Sequence, residues 1–337
     1  MKFLNSIFKH KLTFSFYLVC ILFSQNCRVD EKPNGSLLDQ GTPAGFFITS
    51  ALFEIIRKGP TRNWTSFSTP FTSTNSSDLL SLDRKNQTTY ALYVNSSNNT
   101  SIVYSSNDGT NFSKLGVTVN TANTNVFSVF NTRIQLSDNY SNNSGGIWNP
   151  NTTISGFCMV KDSDTSAYVL GNGFVNKTVD EGANFTLVTG SPGFPSRSSG
   201  LCTYKNGKIF LLGGQSSDSN FFDLWESTDG NNWTQISSSV KPEGNSGFYR
   251  PCDYFSNSRI MGFAYSEETE YKYHVIGNNL ALIQSKDGKS WQCTNPSNNV
   301  YYSGTSTISN RAVLVGKRLF LYGTSSYNSQ NAYTDLE

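Results

Sequence analysis

The sequence predicts an all-β fold of short strands joined by polar turns. Two observations carry this: a composition that disfavours long helices, and one turn pattern that recurs along the chain. Charged residues make up 15% of the 337, well below the roughly 25% of an average soluble protein. Aromatics reach 14%, and Ser, Asn, Thr and Gly fill much of the rest. Long helices draw on Ala, Glu, Lys and Leu, whereas β-branched and aromatic residues separated by polar turns favour strands. The formal net charge of +2 supplies no basic field for a phosphate backbone, so no nucleic-acid partner is expected.

The recurring turn occurs four times: Ser106-Asn-Asp108-Gly109-Thr-Asn-Phe112, Thr178-Val-Asp180-Glu-Gly182-Ala-Asn-Phe185, Ser227-Thr-Asp229-Gly230-Asn-Asn-Trp233 and Ser285-Lys-Asp287-Gly288-Lys-Ser-Trp291. Each residue type suits a hairpin turn. The carboxylate accepts bonds from backbone N–H groups, and glycine supplies a positive φ at little cost. The hydroxyl adds a local bond, and the aromatic ring leads the chain back to the core. These segments resemble the Asp-box (BNR) repeat, Ser-x-Asp-x-Gly-x-Thr-Trp, of sialidases, photosystem assembly factors and related propellers. The Thr178 copy keeps the full spacing; the other three are one residue shorter between Asp and aromatic. The resemblance implies a β-propeller, sialidase-like in fold only, with these turns as structural elements on its outer rim.

A second set of similarities orders the blades. Ser155-Gly-Phe-Cys158, Ser199-Gly-Leu-Cys202 and Tyr249-Arg-Pro-Cys252 read as blade starts. Lys208-Ile-Phe-Leu-Leu-Gly213 and Arg318-Leu-Phe-Leu-Tyr-Gly323 read as second strands. Residues 116–153 are either a long insertion or a degenerate extra blade, with Val126–Phe130 as one of its strands. Phe53–Trp64 resembles a turn that has lost its Asp, and residues 303–337 supply early strands without a box. Joined together, the two ends close one blade, which removes an open sheet edge. The expected architecture is five or six four-stranded blades, at most seven, over residues 45–337.

Residues 1–27 form a segment of another kind. Lys2, Lys9 and Lys11 precede an apolar run from Leu12 to Phe23, too short to span a bilayer comfortably and of the length of a secretory signal core. The run ends at Ser24-Gln-Asn-Cys27, which resembles the looser bacterial lipoboxes of spirochaetes. The resemblance implies lipidation at Cys27, attachment to a membrane through that lipid, and residence in the cell envelope as an outer-membrane lipoprotein. An ordinary cleaved signal and a secreted product form the alternative. Residues 28–44, with Pro33, Gly35, Gly41 and Pro43, read as a flexible tether.

Catalytic chemistry has few candidates. Beyond the signal only His274 remains, which leaves little for a Ser-His-Asp triad or a zinc site; no metal and no cofactor are expected. Sialidases carry a Phe/Tyr-Arg-Ile-Pro motif before the first box, whereas Tyr249-Arg250-Pro251 lacks the Ile and falls between the third and fourth boxes. Cys158, Cys202 and Cys252 occupy matching blade positions, so rotation about the ring is expected to hold them beyond the roughly 7 Å of Cα separation that a disulfide tolerates; buried thiols are the expectation. A ligand site is expected among blade-start residues near the channel mouth, at Arg197, Tyr249, Arg250 and Asp253, together with the mixed segment Tyr265–Tyr271. The function expected is non-catalytic binding of an unknown protein or glycan ligand. A glycan-active hydrolase and an envelope assembly factor are the alternatives.

Overall fold

The computed structural model describes residues 61–337 except 71–78, 96–97, 121–125, 143, 152–153, 218, 241–259, 278–280, 297–310 and 323–330. None of the described residues is helical. Two short strands come first, β1 (Thr61–Arg62) and β2 (Thr65–Phe67). Blade 1 follows with β3 (Leu79–Lys85), β4 (Thr88–Asn95), β5 (Thr100–Ser106) and β6 (Ser113–Asn120). Blade 2 holds β7 (Phe127–Val129), β8 (Ile134–Leu136), β9 (Asn139–Ser141) and β10 (Asn149–Pro150). Blade 3 holds β11 (Cys158–Lys161), β12 (Ala167–Gly171), β13 (Phe174–Thr178) and β14 (Thr186–Thr189). Blade 4 holds β15 (Ser199–Lys205), β16 (Lys208–Gln215), β17 (Asn220–Ser227) and β18 (Thr234–Ser237). Blade 5 holds β19 (Ile260–Tyr265), β20 (Tyr273–Gly277), β21 (Leu282–Ser285) and β22 (Gln292–Pro296). Blade 6 is built from β23 (Ala312–Val315), β24 (Arg318–Leu321), β25 (Asn331–Asp335) and, from the other end of the chain, β2.

Each blade is an antiparallel meander, and the molecule is a six-bladed β-propeller. The first strands neighbour one another in the order β3, β7, β11, β15, β19, β23 around the axis, and blade 6 closes on blade 1 through Phe320 and Tyr322. β2 pairs with β25 at Thr65↔Tyr333 and Phe67↔Asn331, so both ends of the described chain share blade 6. Just before it, β1 lies parallel to β22, with Thr61 opposite Asn295, and ties the entering chain to blade 5 as well.

The core is divided among the blade interfaces. Leu92, Val94 and Val103 of blade 1 meet Phe127, Ile134 and Leu136 of blade 2. Phe210 and Leu212 of blade 4 meet Phe263, Val275 and Ile283 of blade 5. Leu80, Ala91 and Tyr104 of blade 1 meet Phe320 and Tyr322 of blade 6. Burying one such side chain stabilises by about 1.5–3 kcal/mol. The second strand of a blade is covered on both faces, which explains why β12 is buried at every position and why β16 and β24 read as apolar runs. Outer strands such as β6 are mostly exposed and polar.

Of the two readings of residues 116–153, the degenerate extra blade is the one the fold shows: their central part is blade 2, and Val126–Phe130 contains its first strand, β7. The first described strand of blade 5 is β19, whose Gly262-Phe-Ala264 matches Gly200-Leu-Cys202; the start expected at Tyr249–Cys252 lies outside the described residues. Cys158 and Cys202 form a disulfide with Cα atoms 6.4 Å apart. They lie on β11 and β15, adjacent innermost strands, where neighbouring blades approach most closely; the separation expected from rotation holds only further from the axis. Cys293 is disulfide-bonded as well.

Candidate functional site: the channel mouth

The four repeated turns connect third and fourth strands. In the first, Asp108 Oδ1 accepts from Ser106 Oγ (2.9 Å), Thr110 N (2.8 Å) and Asn111 N (2.7 Å), and Oδ2 accepts from Asn111 Nδ2 (2.6 Å). Asp229 repeats the pattern with Ser227, Asn231 and Asn232. Asp287 accepts from Ser285, Lys289 and Ser290, and Asp180 from Thr178 and Asn184. Bonds from Asn232 N and side chain hold the Asp229 carboxyl down at about 2, and those from Asn111 hold Asp108 well below the usual carboxylate range. Each of these carboxylates is tied into its own turn by three or four hydrogen bonds, a geometry unsuited to proton transfer. Gly109, Gly182, Gly230 and Gly288 all take positive φ. Phe112, Phe185, Trp233 and Trp291 each stand immediately before an outer strand.

The sites expected at the blade starts divide. Cys27, Tyr249, Arg250 and Asp253 lie outside the described residues. Arg197 is fully buried and precedes β15, at the opposite end of the inner strands from the cavity described next. Its guanidinium forms a two-pronged pair with Asp223 (2.9 and 3.0 Å) and donates to the carbonyls of Pro195 and Gly213. Asp223 also accepts from Trp225 Nε1 at 2.7 Å. Four of the five guanidinium N–H donors of Arg197 are thus spent on its own surroundings, and the side chain is a buried cross-link of its blade rather than a group facing the cavity.

A cavity of about 570 Å³ opens in the channel on the face that carries the first hairpins of the blades. Its wall includes Asp83 and Arg84 of blade 1, Lys161 of blade 3, Tyr204 and Lys205 of blade 4, and Glu268 of blade 5. Asp83 Oδ2 accepts from Ser128 Oγ (3.0 Å) and Val129 N (2.6 Å) of blade 2, and Lys161 Nζ stands 3.2 Å away. One carboxylate thus ties three blades together over the short inner strand β7. Lys85 Nζ donates to the carbonyls of Phe130 and Asn131, both at 3.0 Å. Arg84 Nη1 donates to Leu314 O of blade 6 at 3.2 Å. Sequence reasoning passed over these residues. Their signal is three consecutive charges, Asp83-Arg-Lys85, in a charge-poor chain, and a lysine at the last position of β3, β11 and β15.

The segment Tyr265–Tyr271 forms the first hairpin of blade 5. Ser266 N donates to Lys272 O (2.9 Å), Glu268 N to Ser266 Oγ (3.0 Å), and Glu270 N to Glu337 O (2.9 Å). His274 on β20 is fully buried. Its Nδ1 lies 3.0 Å from Gln284 Nε2 and its Nε2 3.1 Å from Thr269 Oγ1, which donates to Tyr271 O. The amide donor fixes a neutral ring protonated at Nε2. Burial first, and Arg62 second, push its pKa down to about 4. His274 therefore braces the hairpin that carries Glu268. Among the described residues no group of His, Cys, Asp and Glu is arranged to hold a metal ion.

No protein-family model and no curated protein matches the chain. Among solved structures, one described as YCF48 bound to D1 peptide matches at 14% identity and a TM-score of 0.46, covering 82% of this chain and 97% of the other. YjhT matches at 12% identity and a TM-score of 0.47, covering 80% and 95%. YCF48 from Cyanidioschyzon merolae matches at 11% identity and a TM-score of 0.45, covering 81% and 99%. Identities this low concern the fold alone.

Proposed function

We propose that the chain is an exported, lipid-anchored binding protein, attached through Cys27, that takes its ligand at the channel mouth without catalysing a reaction. The observation that carries the binding role is the cavity of about 570 Å³, within the roughly 300–1,000 Å³ range of small-ligand sites, with several polar groups converging on it. Export is supported by the Cys158–Cys202 disulfide, since such bonds persist in oxidising compartments and are rare in cytosol. The absence of catalysis is supported by the state of the titratable groups: the repeated-turn aspartates are each tied into their turn by three or four hydrogen bonds, Asp83 is enclosed by four donors, and His274 is sealed from solvent.

Metabolic labelling with a fatty-acid analogue tests the anchor: label is expected on the wild-type chain and lost in Cys27→Ser, while label retained in that variant removes Cys27 from the proposal. Protease treatment of intact cells tests exposure. A glycan and protein array probed with wild type and Lys205→Gln tests the site: hits common to both, unchanged in strength, would place recognition elsewhere.

A further inference from the structure

The charges at the channel mouth fall into two sets. Asp83 and Lys161 neutralise each other within the wall, and Lys85 is taken up by two carbonyls. The other set is uncommitted. Arg84 uses Nη1 on Leu314 O, while its Nε is buried without a partner. Lys205 and the carboxylate of Glu268 make no hydrogen bond among the described residues, although both residues line the cavity. Arg84 belongs to blade 1 and Lys205 to blade 4, which face each other across a ring of six; Glu268 comes from blade 5, beside Lys205. The Glu268 arm is pre-set by its own backbone bond to Ser266 Oγ and by the Thr269–His274–Gln284 chain behind it, so little freedom is lost when it engages a ligand.

We infer that the cavity binds a small zwitterion with an excess of acid, its ammonium held by Glu268 and its carboxylates by Arg84 and Lys205. The inference rests on the channel mouth being the binding site. A ligand bearing carboxylates alone would face Glu268 unpaired, and a ligand bearing only a cation would leave two basic groups unmatched. Charge-assisted bonds of this kind are the strong class of hydrogen bond.

L-Glutamate, glutarate and L-lysine are the probes, titrated by calorimetry into the full chain at millimolar concentration. L-Glutamate is expected to bind and to raise Tm, with glutarate about tenfold weaker and L-lysine weaker still, a tenfold step being the loss of one modest charge-assisted contact. Glu268→Gln is expected to abolish the preference for glutamate over glutarate. Lys205→Gln is expected to weaken both about tenfold. Both positions are exposed, so the variants keep the fold, which the unliganded Tm verifies. Equal affinity for glutamate and glutarate in the wild type overturns the inference. So does binding untouched by both substitutions, or no binding of any probe. If the probes fail while array hits are lost in Lys205→Gln, the channel remains the binding site and only the zwitterion is wrong.

Discussion

At Gly230 the backbone takes a φ of 78°, and a Cβ there would stand 2.8 Å from the ring of Tyr168 on the preceding blade. The other repeated-turn glycines meet the blade before them in the same way: Gly109 against Phe320, Gly182 against Gln135 and Gly288 against Ile236. The repeat thus needs glycine twice over, once for the dihedral and once for the close approach. Gly230→Ala is expected to cost about 2 kcal/mol in urea denaturation, from left-handed strain and overpacking together. Gly190→Ala, with nothing near its Cβ, is expected to change little. Arg197→Met leaves Asp223 buried and unpaired and is expected to cost about 3–5 kcal/mol without changing what binds in the channel. His274 sets a pH dependence. Its folded pKa of about 4 lies below its ordinary 6.5, so the unfolded chain binds the extra proton first. Stability is therefore complete above pH 6.5 and falls as pH drops toward about 4. Asp229, depressed to about 2 from 3.8, adds a second loss below that range. Thermal melts across these values check both, and His274→Gln is expected to flatten only the upper segment.

The elements show which signals survive in one sequence and which do not. The four turns that kept their aspartate were legible because the carboxylate's bonds demand that residue at that spacing. A fifth copy was present and was missed. Ser141-Asn-Asn143-Ser-Gly145-Gly-Ile-Trp148 has the spacing of the Thr178 turn, and Gly145 N donates to Ser141 Oγ at 3.0 Å as Gly182 N does to Thr178 Oγ1 at 2.9 Å. With Asn in place of Asp the motif loses its most recognisable letter while the hydroxyl–glycine bond persists. That turn is what makes residues 116–153 a blade. Trp64, directly before β2, completes the series of aromatics that begin outer strands, as the degenerate N-terminal turn suggested. The inner strand β19 was not marked by a cysteine; what it shares with β15 is a small residue pressed against its neighbour, as Gly262 is against Ala312. The channel-mouth residues stayed hidden because long-range pairs such as Asp83 with Lys161 leave no local pattern.

At the scale of the whole molecule the ring is held by its interfaces and by two kinds of cross-tie. The Asp83-Arg-Lys85 run links blade 1 to blades 2, 3 and 6, and the Cys158–Cys202 bond links blade 3 to blade 4. With its cysteines 44 positions apart in sequence, this disulfide is expected to contribute up to about 4 kcal/mol on loop-closure entropy. The Cys158→Ser/Cys202→Ser variant is expected to melt at lower temperature, and a non-reducing peptide map of the wild type is expected to recover the linked peptides; free thiols at both positions would contradict the assignment.

The pairing of β2 with β25 also sets a schedule. A ribosome at about 5–20 residues per second needs on the order of tens of seconds to travel from one partner strand to the other. Throughout that interval the ring cannot shut, and the apolar flanks of its first and last blades have nothing to lean on. Closure is therefore the last event of assembly, and every contact between blade 6 and blade 1 is gained in that one step.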